Sequence, residues 1–329
     1  MRKVLPYIAI VILFVTGFYL ALPGRSYSDP IKRSRILLGT VVEIQIRDAD
    51  LEKAEDAVNK AYDEVKRIDD VFSVFNSAGP VWAINHSIKN KFQTNPEIFF
   101  VLEKCNEFNR LTNGAFDVSL DSLSELWGFG PNGNPSLPLD SKINEALKFC
   151  GWNNVKLQEK YSFYRENNVR LNFGAIAKGY AVDCAVNTLR KYGIKNALVN
   201  AGGEIKQIGN DWIVGVQDPD NRTSVIRKLK LNGMSVATSG DYEQYFEKDG
   251  VRYCHIINPA TGYPAQLCKS VTVVAPDDLS ADALATGLFV MGPEKGMSVV
   301  ESLKGIEAYI IDKNNKEYFS SGFSKYILR

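Results

Sequence analysis

Three short stretches hold residue types that could do chemistry together. In "LSADALATGLFVMG" (279–292), Asp282 and Thr286 stand four residues apart, on one face of any helix that Ser280 caps. A carboxylate and a hydroxyl so placed suit a hard cation such as Mg2+, which takes one or two protein oxygens and fills its shell with water and phosphate. A plainer reading stands beside it: aspartate in a first turn complements the helix dipole, and a mid-helix threonine bonds its own backbone. "VRLNFGAIAKGYAVD" (169–183) reads as a strand ending near Phe173, a tight turn at Gly174 and a helix starting at once. Such a junction aims unpaired N–H groups at whatever lies above the strand's end, an anion site in outline. Lys178 falls in the first turn, where the dipole disfavours a cation; it either faces a phosphate or is a solvent-facing lysine.

"HIINPATGYP" (255–264) holds His255, one of only 2 histidines. A hairpin centred on Asp249-Gly250 joins it to "ATSGDYEQYF" (237–246) and is expected to bring Thr238, Ser239 and Asp241 beside it. An imidazole titrating near neutrality could take a proton from a hydroxyl or hold a phosphate, with Asn258-Pro259 and Thr261-Gly262 fixing its loop. The alternative is a structural histidine satisfied by backbone, and that is the only reading for His86 in "INHSIKN".

The elements that must position these groups alternate between strand and helix periodicity. "RILLGTVVEIQI" (35–46) alternates like one strand, and "LEKAEDAVNKAYDEVKRIDDVF" (51–72) repeats apolar residues at helical spacing. Asn95 and Pro96 read as N-cap and first position of a helix running to Gly114. Short strands follow at "NVKL", "YSFY" and "VRLNF", then a helix over "GAIAKGYAVDCAVNTLRKY" stopped by Gly193. After it come strands at "ALVNA", "WIVGVQ", "SVIRKLKL", "VTVVA" and "EAYIID", with one more helix from Ser280. "GFGPNGNPSLP" (128–138) is the candidate long functional loop or hinge.

Composition and motifs remove several classes. With 329 residues, 45% hydrophobic, the chain can bury a sizeable core, and 39 basic against 38 acidic residues leave no general attraction for nucleic acid. Gly128, Gly130 and Gly133 spell G-x-G-x-x-G but follow an apparent helix, so they are no dinucleotide fingerprint, and no G-K-[S/T] phosphate loop occurs. Arg2 and Lys3 precede an uncharged apolar run from Tyr7 to Leu22, which reads as a cleaved signal peptide, with Ser26 and Ser28 near the cut, or as an uncleaved anchor. The mature domain is therefore expected outside the cytoplasm, periplasmic or anchored to the outer face of the membrane. The 5 cysteines form no C-x-x-C pair and no disulfide framework; Cys254 and Cys268 flank the histidine turn and are either a pair or small buried hydrophobes.

Six separated segments, "LWGFGP", "GAIAKGYAVD", "NAGGEI", "VATSGDYEQYF", "HIINPATGYP" and "VTVVAP…ADALATGLFVMGPEK", resemble in order and spacing the ApbE family of FAD:protein FMN transferases, from about Ile36 to the C-terminus. The resemblance implies an α/β (α+β) fold: one catalytic unit over 29–329, with mixed sheets packed by helices, after an export or anchor segment at 1–28. It implies a Mg2+-dependent enzyme that splits the pyrophosphate of FAD, transfers FMN to a threonine or serine hydroxyl of a partner protein and releases AMP. Acceptors in the family include membrane electron-transfer subunits with an Asp-Gly-x-[Ser/Thr]-Gly-Ala-[Ser/Thr]-like motif.

Carried over by motif, Asp282, Thr286 and the backbone carbonyl of Ala175 resemble the metal ligands. Lys178, Trp127, Gly128, Phe129 and Ile257 resemble flavin-nucleotide contacts, and His255 the general base that activates the acceptor. Asn172 stands where the family usually has aspartate, Leu38 where it has methionine, and Ala260 where it has arginine; Leu38 and Asn172 fall at flavin-contact positions. Phe75 falls where relatives carry a residue that tunes transfer against hydrolysis, and an aromatic there suits stacking on the isoalloxazine. A Mg2+-dependent FAD pyrophosphatase and a non-catalytic flavin-binding protein are the competing readings. The intact Asp282, Thr286 and His255 weigh against storage alone.

Overall fold

The structure is a computed structural model that describes residues 30–47, 49–130 and 133–328. The expected export or anchor segment lies outside the described residues. In chain order the first half contains β1 (Ile31–Leu37), β2 (Thr40–Ile46), α1 (Leu51–Phe72), α2 (Pro80–Asn85), β3 (Lys91–Gln93), α3 (Pro96–Leu111), α4 (Asp121–Leu126), α5 (Asp140–Leu147), β4 (Val155–Gln158) and β5 (Ser162–Arg165). The second half contains α6 (Ala177–Lys191), β6 (Ala197–Ala201), β7 (Ile205–Ile208), β8 (Ile213–Gln217), β9 (Val225–Lys230), β10 (Ser235–Gly240), β11 (Tyr245–Lys248) and β12 (Val251–Cys254). It closes with β13 (Cys268–Ala275), α7 (Asp278–Met291), α8 (Pro293–Ser302), β14 (Glu307–Asp312) and β15 (Glu317–Phe319).

Eight strands form one sheet in the order β1-β2-β6-β7-β10-β13-β14-β15, and its pairings are antiparallel. One face carries α1, α6 and α7. The amphipathic α1 is capped by Asp50, whose carboxylate accepts from Lys53 N at 2.9 Å, and buries Ala54, Val58, Val65 and Ile68 in the main core. By contrast α7 is buried nearly all round, as its Leu284, Leu288 and Phe289 demand, so its two acids are carried into the interior. The other face is covered by the β8–β9 pair and the C-terminal turn, where Trp212, Leu229, Tyr309 and Phe323 pack. A third cluster gathers Leu123, Ile143 and Ile257 around Trp127. The mixed helix-and-sheet fold read from the sequence is the fold observed.

Local departures have clear causes. "RILLGTVVEIQI" is not one strand: Leu38 (φ 55) and Gly39 (φ 70) make a two-residue turn between β1 and β2. Val169–Phe173 joins no sheet, because its backbone is claimed by other partners. Asn85 bonds Leu171 through both amide atoms, and Asn172 N donates to Val118 O. The helix that carries Asp282 and Thr286 begins earlier than Ser280; Asp277 is its cap and accepts from Ser280 N at 2.8 Å. The helix at Asn95 is capped as expected but ends at Leu111. "IKQI" becomes β7 with Lys206 and Gln207 buried, polar content that hides a strand from any hydropathy reading.

Candidate active site

The site is built where the N-terminus of α6 meets the first turns of α7. Gly179 makes that meeting close: a Cβ there would lie 2.2 Å from Asp278 O and 2.8 Å from Asp282 Cβ. The Gly179 N–H donates to Asp282 Oδ2 at 2.9 Å, so it does not close the first helical turn on Ala175. Among the described residues the Ala175 carbonyl accepts no hydrogen bond. Asp282 Oδ1 is left pointing at Lys178 Nζ, 3.7 Å away. One turn further along α7, Thr286 Oγ1 is 3.2 Å from Ser239 Oγ at the end of β10. The helix spacing read from the sequence thus does place Asp282 and Thr286 on one face.

Two carboxylates that no motif reading assigned a role complete the group. Gly202 (φ 76) and Gly203 (φ 115) turn the chain tightly between β6 and β7, and Glu204 follows them to bond Lys178 Nζ. A side chain at 202 is excluded twice, by φ and by Thr40 Oγ1 at 2.4 Å from its would-be Cβ, which also seats the Leu38-Gly39 turn beside this corner. Glu243, on the segment leading into β11, is open to solvent within the cleft and acts on both Lys178 and Asp282. Burial disfavours the Lys178 ammonium, but Asp282, Glu204 and Glu243 outweigh it and raise its pKa. Among the acids, burial raises Glu204 and Asp282, and Lys178 offsets only part of this. Nearby Asp278 is wholly buried with neither carboxylate oxygen partnered, and burial, with Asp183 and Glu204 adding to it, raises its pKa well above the ordinary carboxylate range.

The side-chain donors gathered here are oxygens, Asp282 Oδ1, Thr286 Oγ1 and Ser239 Oγ, with Glu204 Oε2 buried and unpartnered, and the unbonded Ala175 carbonyl lies two residues before α6. Among the described residues no three His, Cys, Asp or Glu side chains form a closed metal cage. That set excludes a thiolate or imidazole metal and fits Mg2+, which uses few carboxylates.

His255 approaches from the β11–β12 hairpin, whose turn is Asp249 (φ 53) and Gly250 (φ 76) as expected. Its register differs from the expectation. Gln244, not Asp241, lies opposite His255, with His255 N donating to Gln244 O at 3.0 Å. Thr238 bonds Thr272, Ser239 joins Thr286, and Asp241 pairs with Arg252 at 2.9 Å. His255 Nδ1 is 3.3 Å from the same Gln244 carbonyl. A carbonyl only accepts, so Nδ1 carries the proton and Nε2 keeps its lone pair. Burial, with Lys178 adding to it, lowers the imidazole pKa to about 4. His255 is therefore neutral at physiological pH, the form a general base requires. NMR titration of its imidazole, assigned by loss of the signal in His255→Ala, is expected to show a midpoint well below the ordinary 6.5. A midpoint at or above 6.5 would remove this environment.

The flavin-contact candidates divide by exposure. Phe129 is half-buried with its ring 6.4 Å from that of His255, and Phe75, 59% exposed, lies against Gly130 of the same loop. Trp127 and Ile257 have buried side chains. Trp127 Nε1 donates to Gly262 O at 2.8 Å, tying the 128–138 loop to the histidine turn. Gly128 (φ 76) is required there, since a Cβ would meet Asn134 O at 2.6 Å. Asn172 donates to Asp121 Oδ1 at 3.1 Å and accepts from Gly174 N; an aspartate would face the Asp121 carboxylate, which explains the amide. Leu38 N donates to Asp69 Oδ2 at 3.1 Å. His86 stacks on Trp82, and the five cysteines are free.

The ApbE family model matches residues 38–310. The chain belongs to the ApbE family. It is 34% identical to the FAD:protein FMN transferase of Vibrio cholerae over 274 residues, which is 80% of this chain and 82% of that one. The ApbE protein of Thermotoga maritima superposes with a TM-score of 0.84 at 34% identity, over 92% of this chain and 100% of that chain. The flavin transferase ApbE of Vibrio cholerae superposes with a TM-score of 0.80 at 31% identity, over 91% and 99%. The ApbE motifs and the converging residues are thus one set: Lys178, Asp282, Thr286 and His255 all lie on elements that meet at the α6–α7 junction or face it.

Proposed function

We infer that this ApbE chain transfers FMN from FAD to a threonine or serine hydroxyl of an acceptor protein, releasing AMP. The observation that carries this reading is the pairing of a neutral His255, Nε2 free, with the oxygen-lined acidic site around Lys178, Asp282 and Thr286. Nε2 takes the proton of the acceptor hydroxyl as its oxygen bonds to the FMN phosphorus. The bond from that phosphorus to the bridging oxygen breaks, and AMP leaves with that oxygen. Lys178 offers a charge to the pyrophosphate and is held in place by Glu204. Asp282, Thr286 and the Ala175 carbonyl would hold Mg2+, which when bound offsets charge on the phosphate oxygens. The exposure of Phe75 and the nearness of the Phe129 ring to His255 support stacking of these rings on the flavin.

The resemblance supports acceptors of the membrane electron-transfer type, displaying an Asp-Gly-x-[Ser/Thr]-Gly-Ala-[Ser/Thr]-like segment. The apolar run at Tyr7–Leu22 supports action outside the cytoplasm. Metal removal tests the reading: with FAD and acceptor present, EDTA should stop AMP release and excess Mg2+ should restore it. AMP release unaffected by EDTA contradicts the metal role.

A further inference from the structure

We propose that Asp183 is a positioning residue that fixes the metal-binding face of α7 through a pair of crossed helix caps. This rests on reading Asp282 and Thr286 as the metal ligands. Two acids on neighbouring helices cap each other's N-termini. On α6, the Asp183 carboxylate accepts from Asp278 N through both oxygens, at 3.1 and 3.0 Å, and from Leu279 N at 3.0 Å. On α7, Asp282 Oδ2 accepts from Gly179 N at 2.9 Å. Residues 179 and 183 are one turn apart on α6, and 278 and 282 one turn apart on α7, so the two caps form a closed square across the helix crossing. Gly179 is what lets the square close.

A third element locks it. Lys206 Nζ, from β7, donates to Asp183 Oδ1 at 2.6 Å and to Pro276 O at 3.3 Å, tying the carboxylate to the corner between β13 and α7. Lys206 is 7% exposed, so this ion pair is shielded from solvent. The consequence is directional. With Oδ2 committed to Gly179, Asp282 can present only Oδ1 to the site, and the rotation of α7 that sets Thr286 is held at its first turn by Asp183. Asp183 touches neither Lys178 nor the Thr286 hydroxyl in the described hydrogen bonds, so its effect runs through α7.

The test is Mn2+ binding to the full-length protein in detergent without FAD, followed by the paramagnetic resonance of free Mn2+. Asp183→Ala is expected to raise the Mn2+ dissociation constant about 10–100-fold, the cost typical of losing a group that orients a ligand. Asp183→Asn, which keeps an acceptor oxygen for α7, should recover most of the loss, while FAD binding in EDTA stays as in the wild type. If Asp183→Ala does not fold, Lys206→Met decides: removing the ammonium that orients the carboxylate should still weaken Mn2+ binding. Folded variants with wild-type Mn2+ affinity and a lowered Tm overturn the proposal and leave Asp183 a purely structural cap. A wild type that binds no Mn2+ overturns the metal reading itself, and the proposal with it.

Discussion

Asp282→Asn should lower the rate of AMP release by roughly 10³-fold, the several kcal/mol that a bound metal contributes to phosphoryl transfer. The substitution is nearly isosteric, and the amide oxygen can still accept from Gly179 N, so the α6 cap survives. What is lost is the charge on Oδ1, the oxygen turned toward Lys178. Stability should not fall with it. Burial already raises the Asp282 pKa, so the folded chain resists ionising this group, and the cost grows as pH rises above the ordinary carboxylate range. An amide removes that cost. Calorimetry at neutral pH should therefore give a Tm equal to or above that of the wild type. Loss of activity with retained or increased stability is the mark of a group kept for function. An unchanged rate in Asp282→Asn would remove the residue from the mechanism.

His255→Ala should reduce transfer to the acceptor about 10²–10⁴-fold, the range for a positioned general base. FAD binding should survive, because the imidazole is neutral at the working pH and adds no charge toward the phosphates. Flavin fluorescence titration separates binding from transfer. The wild-type acid limb should follow the depressed imidazole: the base is present above about 4 and lost as pH falls through that value. Equal transfer by His255→Ala would show that the acceptor is activated by another group. The Gln244 carbonyl is central to this argument, since it alone sets which ring nitrogen carries the proton.

The parts legible in the sequence were those fixed by local periodicity. Asp282 and Thr286 lie within one helix, so spacing alone puts them together, and Lys178 lies in the first turn of another. The Asp249-Gly250 turn was readable because consecutive positive φ values favour this dipeptide. What depended on register was not readable. Ser239 and Asp241 sit two residues apart and would share a face of one strand, but β10 ends at Gly240, so Asp241 leaves the alternation and meets Arg252 while Ser239 meets Thr286. Glu204 and Glu243 reach Lys178 from separate loops, and only the order of the sheet brings those loops to one corner. The Gly-Gly before Glu204 was the available signal, since two such residues at a strand end mark a turn too tight for side chains. Trp127 and Ile257 show a further limit. A motif marks a position without saying whether its side chain or its backbone does the work, and here both side chains are buried in the cluster that holds the histidine turn.

The most direct test of the account is the mass of the acceptor. The full-length chain in detergent is incubated with FAD, Mg2+ and a protein carrying the Asp-Gly-x-[Ser/Thr]-Gly-Ala-[Ser/Thr]-like segment, and the acceptor is weighed intact by mass spectrometry. The expected result is a gain equal to one esterified FMN, absent when the segment's hydroxyl residue is replaced by alanine. An unchanged acceptor with FMN and AMP free in solution, or with FAD intact on the protein, would contradict it.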